Sequence, residues 1–140
     1  MSIEKIRAYF QADKYLTLTG VSIDVAEQDY AVCSLEIADK HLNAGGKVQG
    51  GAIYTLADSA FGVAANFGHL DRGDRKITVS QSAGISYFRP PKCKRLIATA
   101  KKLSAGRRVS VYNVELEDEL GTKVAIMTIN GYTVDLAVSG

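Results

Sequence analysis

Between Gly50 and Phe67 the apolar residues Ile53, Leu56, Ala57, Ala60, Val63, Ala64 and Phe67 recur at helical spacing. That period predicts an amphipathic helix, about 27 Å long at 1.5 Å rise per residue, with Gly68 as its C-cap. Elsewhere a period of two prevails. Thr17, Thr19, Val21, Ile23 and Val25 alternate along Leu16 to Val25, which predicts a strand. Tyr30 to Ile37 forms a second, with Glu27-Gln28-Asp29 as the hairpin between them. After a charged connector, His69 to Arg75, come strands at Lys76–Phe88, Arg95–Leu103, Arg107–Glu117 and Lys123–Val134. Arg89-Pro90-Pro91 stops the first of these. Ser104-Ala105-Gly106 and Asp118 to Thr122 supply the later turns. A short helix, Ile3 to Gln11 with Ser2 as N-cap, precedes everything. Leu136 to Gly140 is expected to fray.

No linker or repeat divides this pattern, so residues 1–140 are expected to form one domain. Short turns make the later strands antiparallel. The class is α+β: an antiparallel sheet of five to six strands packed on one long helix.

A hydrophobic fraction of 46% with 23% charged residues is ordinary for a soluble globular chain. No apolar run approaches a membrane span. The opening MSIEKIRAYFQADKY mixes charge with apolar residues, unlike a signal peptide. Cys33 and Cys93 form no CxxC pair, and His41 and His69 are the only histidines. No metal site is therefore expected, and two unpaired cysteines fit a cytoplasmic protein. The net charge of +2 is unevenly spread: Arg75 to Val114 holds ten Lys or Arg and no acid, leaving seven cations among all fifteen acids. Such a segment suits a polyanion, whether nucleic acid or a polyphosphate nucleotide. Lysines that blunt strand edges are the other explanation.

Asp58 interrupts the apolar helix on the face of Tyr54, Thr55, Gly62 and Ala65. A carboxylate there needs a reason. It can serve as a general base or attack a carbonyl directly. Gly50 and Gly51 open the helix, whose first N–H groups are unpaired and lie at the positive end of its dipole. An oxyanion can be held there. Asn43 precedes Gln49 by six residues, and Gln49 precedes Asp58 by nine.

Asn43, Gln49-Gly50-Gly51 and Leu56-Ala57-Asp58 resemble the hotdog-fold acyl-CoA thioesterases of the phenylacetic-acid-degradation type, relatives of 4-hydroxybenzoyl-CoA thioesterase. Tyr87-Phe88-Arg89-Pro90 is similar to that family's aromatic-x-Arg-Pro. Gln49 departs from the pattern, which has His there. The resemblance implies a sheet wrapped around the central helix and a homodimer or dimer of dimers. It implies hydrolysis of acyl-CoA, aromatic acyl groups included, without metal or redox cofactor, nucleic acid or membrane. Asp58 would be the base or nucleophile, Gly50 the oxyanion donor, and Asn43 and Gln49 hydrogen-bond partners of the thioester, with the acid facing the partner subunit's loop. Gly51, Ser82 (or Ser80, in the other strand register), Arg89, Arg107 and Arg108 would bind substrate, Lys92 and Lys94 joining the arginines on coenzyme A. Tyr54, Phe61 and Phe67 are candidates for the acyl pocket. Gln49 keeps open a non-catalytic acyl-CoA-binding scaffold. A hydratase or dehydratase would need a His that His41 does not supply at the motif position.

Overall fold

The computed structural model describes residues 1–136. Its elements run α1 (Ile3–Phe10), α2 (Lys14–Thr19), β1 (Val21–Glu27), β2 (Tyr30–Glu36), a 3-10 turn (Asp39–His41), α3 (Gly50–Arg72), β3 (Lys76–Tyr87), β4 (Arg95–Ala105), β5 (Val109–Asp118) and β6 (Lys123–Asp135). The six strands form one antiparallel sheet in the order β1-β2-β4-β5-β6-β3. This is the hotdog arrangement, with α3 lying across the sheet's concave face.

Small residues set how closely α3 approaches. Ala57, Ala60 and Ala64 on the helix and Ala31, Ala98 and Ala100 on the sheet are all buried. Leu56, Val63, Leu35, Leu96, Val114, Met127 and Ile129 fill the space between, each at 0–1% exposure. Buried Asn66 pins the helix to β3. Its amide nitrogen donates to the Thr78 carbonyl (2.9 Å), and its Oδ1 accepts from the Thr78 N–H (2.8 Å).

Three boundaries differ from the sequence pattern. Leu16 to Thr19 is helix rather than strand. Asp13 caps it through Leu16 N–H, and Gly20 ends it in the left-handed region at φ 89°. Local capping outweighs the alternation of Thr17 and Thr19. α3 passes through Gly68 and stops at Gly73, φ 63°, so His69 to Arg72 are helical rather than connector. A Cβ at Gly68 would lie 2.8 Å from the mobile Arg72 guanidinium and 3.4 Å from Gln28 Cγ. The turn between β4 and β5 is Gly106 to Arg108, two residues beyond the expected one. At the C-terminus, the Leu136 N–H donates to Arg75 O at 2.8 Å, and residues 137–140 lie outside the described residues. No described helix is long and apolar enough to cross a membrane.

The N-terminal segment runs antiparallel along α3. The Met1 ammonium pairs with Asp71 (2.9 Å), and the Phe10 ring lies 4.0 Å from where a Cβ on Gly62 would be. α2 is thereby delivered to the start of α3. There Lys40 Nζ donates to Leu18 O (2.8 Å), and His41 Nε2 lies 2.7 Å from Thr19 O. The His41 tautomer follows from its other nitrogen: Nδ1 accepts from the Ala38 N–H (2.9 Å), so Nε2 carries the proton.

Candidate active site at the start of the central helix

The loop before α3 is held by its own backbone and by one side chain. Asn43 Oδ1 accepts from the Gly45 N–H (2.9 Å) and the Lys47 N–H (3.1 Å), an Asx turn. Gln49 N–H donates to His41 O at 2.7 Å. Gln49 then caps the helix, its Oε1 accepting from the Ala52 N–H (3.2 Å). Both amide oxygens are therefore occupied by structure. What Asn43 and Gln49 still offer a ligand is an amino group each.

Gly50 and Gly51 are the first two residues of α3. Among the described residues their N–H groups have no hydrogen-bond acceptor. A side chain at either position would crowd a neighbouring side chain. A Cβ on Gly50 would lie 3.3 Å from the Tyr87 ring and hydroxyl, and one on Gly51 would lie 2.5 Å from Gln49 Oε1. Tyr87 is a site residue that sequence reasoning noted only as a motif aromatic. Its hydroxyl donates to Gly50 O at 2.8 Å, tying the end of β3 to the glycine turn.

Asp58 lies eight residues beyond Gly50, about 12 Å along the axis. Gly51, Thr55, Asp58 and Ser59 form one stripe at i, i+4 spacing. The Thr55 and Ser59 hydroxyls are turned back onto Gly51 O (2.8 Å) and Thr55 O (2.6 Å), so the carboxylate is the polar group left to act outward. Asp58 is half-buried. Burial, and second the charge of nearby Asp13, raise its pKa above the usual carboxylate range. Asp13 was not singled out by sequence, because nothing in a linear pattern places residue 13 beside residue 58.

Arg89 arrives beside this turn. Its Nη1 donates to Lys123 O (2.6 Å), and it borders, with Lys47, Gly50 and Tyr87, a hollow of about 310 Å³. An adjoining hollow of about 240 Å³ adds Lys92, Cys93 and Lys94. No carboxylate lines either. Asp118 holds the Pro-Pro-Lys turn in place. It is 2% exposed and accepts from the N–H groups of Lys92 (2.7 Å), Leu120 (2.9 Å) and Thr122 (2.9 Å). Burial pushes its carboxyl up, but these bonds together outweigh it and hold the pKa down at about 2.

Three expectations move. Ser82 pairs with Asn130, whose amide donates to it (2.8 Å), and Asn130 faces away from the helix between inward-facing Ile129 and Gly131. A bulge at Gln81 puts Ser80 opposite Gly131 instead, so Ser80 is the serine on the helix side. Arg107 and Arg108 stand at the other end of α3. Arg108 bonds Thr133 O (3.2 Å) and pairs with Asp135 (3.6 Å), and within one chain neither approaches Gly50. Phe61 is spent in the core, 2% exposed and edge-on to Tyr112 at 5.3 Å, so it lines no acyl pocket. The basic segment is also less lopsided in space than in sequence. Arg95 pairs with Asp24 and Lys102 with Asp29, acids from the other half of the chain. The buried Cys33 thiol is pushed up to about 12, by burial first and Asp24 second, and is no nucleophile.

Comparison with known proteins extends over most of the chain. Over 138 residues the chain is 24% identical to the acyl-coenzyme A thioesterase PaaI of Escherichia coli, covering 98% of this chain and 94% of that one. The crystal structure of that Escherichia coli protein matches with a TM-score of 0.82 over 97% of this chain and 95% of that one, at 22% identity. A mutant of the phenylacetic acid degradation protein PaaI of Thermus thermophilus matches at 33% identity and a TM-score of 0.74, over 84% of this chain and 96% of that one. The sequence profile of the thioesterase superfamily matches residues 45–125, from the glycine turn to the start of β6. With more than half its length inside that match, the chain belongs to the thioesterase superfamily.

Proposed function

We propose that this protein hydrolyses acyl-CoA thioesters to a free acid and coenzyme A, in a site assembled from two copies of the chain. The observation that carries the reading is the pair of unpaired N–H groups at Gly50 and Gly51, at the head of the helix that also bears Asp58. A thioester carbonyl accepting from those N–H groups gains negative charge as it is attacked, and the helix end stabilises it. Asp58 takes a proton from the attacking water. The tetrahedral intermediate collapses, the C–S bond breaks, and the thiolate leaves and is protonated. A raised pKa favours this, because a stronger base abstracts the proton better.

Asp58 cannot serve the carbonyl held by its own Gly50. About 12 Å along one helix exceeds the reach of a side chain and one water. A second copy supplies the missing half. β3 supports this. It is a 12-residue edge strand with one unpaired side, and Val79 on it is 43% exposed. Left uncovered, such an edge invites pairing. Two β3 edges side by side would continue the sheet and bring two α3 helices together.

The cationic hollows beside Gly50 suit the nucleotide. Lys47, Arg89, Lys92 and Lys94 line them without a carboxylate. Gln49 cannot carry charge, so its free amino group serves only as a donor to the thioester. A panel of acyl-CoA thioesters, assayed for free thiol, tests the reading. Hydrolysis supports it. Tight acyl-CoA binding with no turnover on any substrate would mean a scaffold instead.

A further inference from the structure

The first turn of α3 separates two hollows of different character. Gly50 and Ile53 border the cationic one. Gln49 and Ala52, one step round at i, i+3, border another of about 370 Å³. Its walls are Tyr15 and Leu18 of α2 and Leu42 of the loop. These are 65%, 69% and 39% exposed, an unusual display for large apolar side chains in one place. Two of the polar side chains in its lining are already held by backbone groups. Lys40 Nζ is bonded to Leu18 O, and the His41 ring spans the Ala38 N–H and Thr19 O. Apart from the Tyr15 hydroxyl and the Gln49 amino group, what a ligand meets there is mostly carbon.

We propose that this hollow is the acyl subsite, and that Tyr15 and Leu18 determine acyl specificity. The inference rests on the thioesterase reading above. A thioester held at the Gly50 and Gly51 N–H groups must send its nucleotide to one side and its acyl group to the other. The cationic side fits the nucleotide, which leaves the apolar side for the acyl group. Its size and lining suit an aromatic ring or a chain of several methylenes. A larger hollow, about 500 Å³, lies between α1, α2 and β1, but no residue from 41 to 58 lines it, so it cannot receive a group attached to that carbonyl.

The test compares kcat/KM for phenylacetyl-CoA, octanoyl-CoA and acetyl-CoA in the wild type, Leu18→Arg and Tyr15→Ala. Leu103→Arg, exposed on β4, is the control. The wild type should prefer a larger acyl group to acetyl. Leu18→Arg should lower that preference roughly tenfold or more, the size expected when an apolar pocket loses its fit. Tyr15→Ala should change it in the same direction, and the control should not. Equal effects on all three substrates, or none, would overturn the inference while leaving the thioesterase intact. So would sedimentation showing that Leu18→Arg dissociates an assembly, since the hollow would then be a contact between copies. Absence of hydrolysis with every substrate in the wild type would instead defeat the underlying reading and this inference with it.

Discussion

The Tyr87 hydroxyl donates to the Gly50 carbonyl oxygen across 2.8 Å, and the same ring stands 3.3 Å from the place a Gly50 Cβ would occupy. One contact therefore ties down the glycine turn and leaves little room beside Gly50. It joins the end of the edge strand to the head of the central helix, which are 37 residues apart in sequence. Removing the hydroxyl should loosen the turn without unmaking it. Tyr87→Phe is expected to cost about 1 kcal/mol of stability, as for a partly exposed hydrogen bond. It should lower kcat by up to roughly tenfold as donor placement degrades. Thermal unfolding and steady-state kinetics check both. Loss of stability with unchanged kcat would make the contact purely structural.

Asp58 predicts linked effects of pH on activity and stability. Its pKa is raised by burial and by Asp13. As the base it must be ionised, so kcat should rise with pH through that pKa and then level off. Asp13→Asn removes one cause, so the acidic limb should move to lower pH. The stability sign runs the other way. A carboxyl whose folded pKa is raised binds protons more tightly when folded, so stability is lost as pH rises from the unfolded value, about 3.9, through the folded one. At neutral pH Asp58→Asn should therefore melt higher than wild type while losing roughly 10²–10⁴ in kcat. A lower melting point with activity intact would mark Asp58 as a structural acid.

The cationic hollows make a separable prediction. Lys92→Glu with Lys94→Glu should raise KM for acyl-CoA and leave a short thioester lacking the nucleotide nearly unaffected. Added salt should mimic the change for acyl-CoA alone. Arg107→Glu with Arg108→Glu should do less, because within one chain those residues stand at the far end of α3. Equal KM changes for both substrates would remove the nucleotide from these hollows.

Much of this architecture is legible in the sequence because its signals are local. The 3.6-residue period of Ile53 to Phe67, the Ser2 cap and the strand alternation each depend on near neighbours. Thr17 and Thr19 misled because alternation over four residues is weak evidence against a capped turn from Asp13 to Gly20. Gly68 imitated a C-cap because a glycine inside a helix and a terminating glycine are identical in sequence. The Ser80 and Ser82 register was hidden by the bulge at Gln81, which shifts the side-chain period by one. Gln49, Gly50 and Gly51 adjoin at the start of α3, and Arg89 borders the same hollow as Gly50. Their mutual spacing is carried by one loop and one strand end. Tyr87 on Gly50 and Asp13 near Asp58 needed the tertiary fold. Arg107 and Arg108 were grouped with Arg89 by charge and by their place near strand ends and turns, and within one chain they stand at the opposite end of α3.

The central claim is that Gly50 of one copy and Asp58 of another share a thioester. Two inactive variants can test it. Gly50→Pro deletes the N–H donor at the first helical position, where proline is tolerated, and the exposed Tyr87 ring, 3.3 Å from the new Cβ, has only to give by a few tenths of an ångström. Gln49 before it already has the extended φ −68°, ψ 135° that a proline demands of its predecessor. Loss of an oxyanion donor should lower kcat roughly 10²–10³-fold, and Asp58→Asn should lower it at least as far. Mixed after dissociation and reassociation, each hybrid dimer holds one site with both defects and one with neither. The account predicts that activity returns in the mixture, to about a quarter of wild type if two sites per dimer act independently and mixing is random. A mixture no more active than its two components would contradict it.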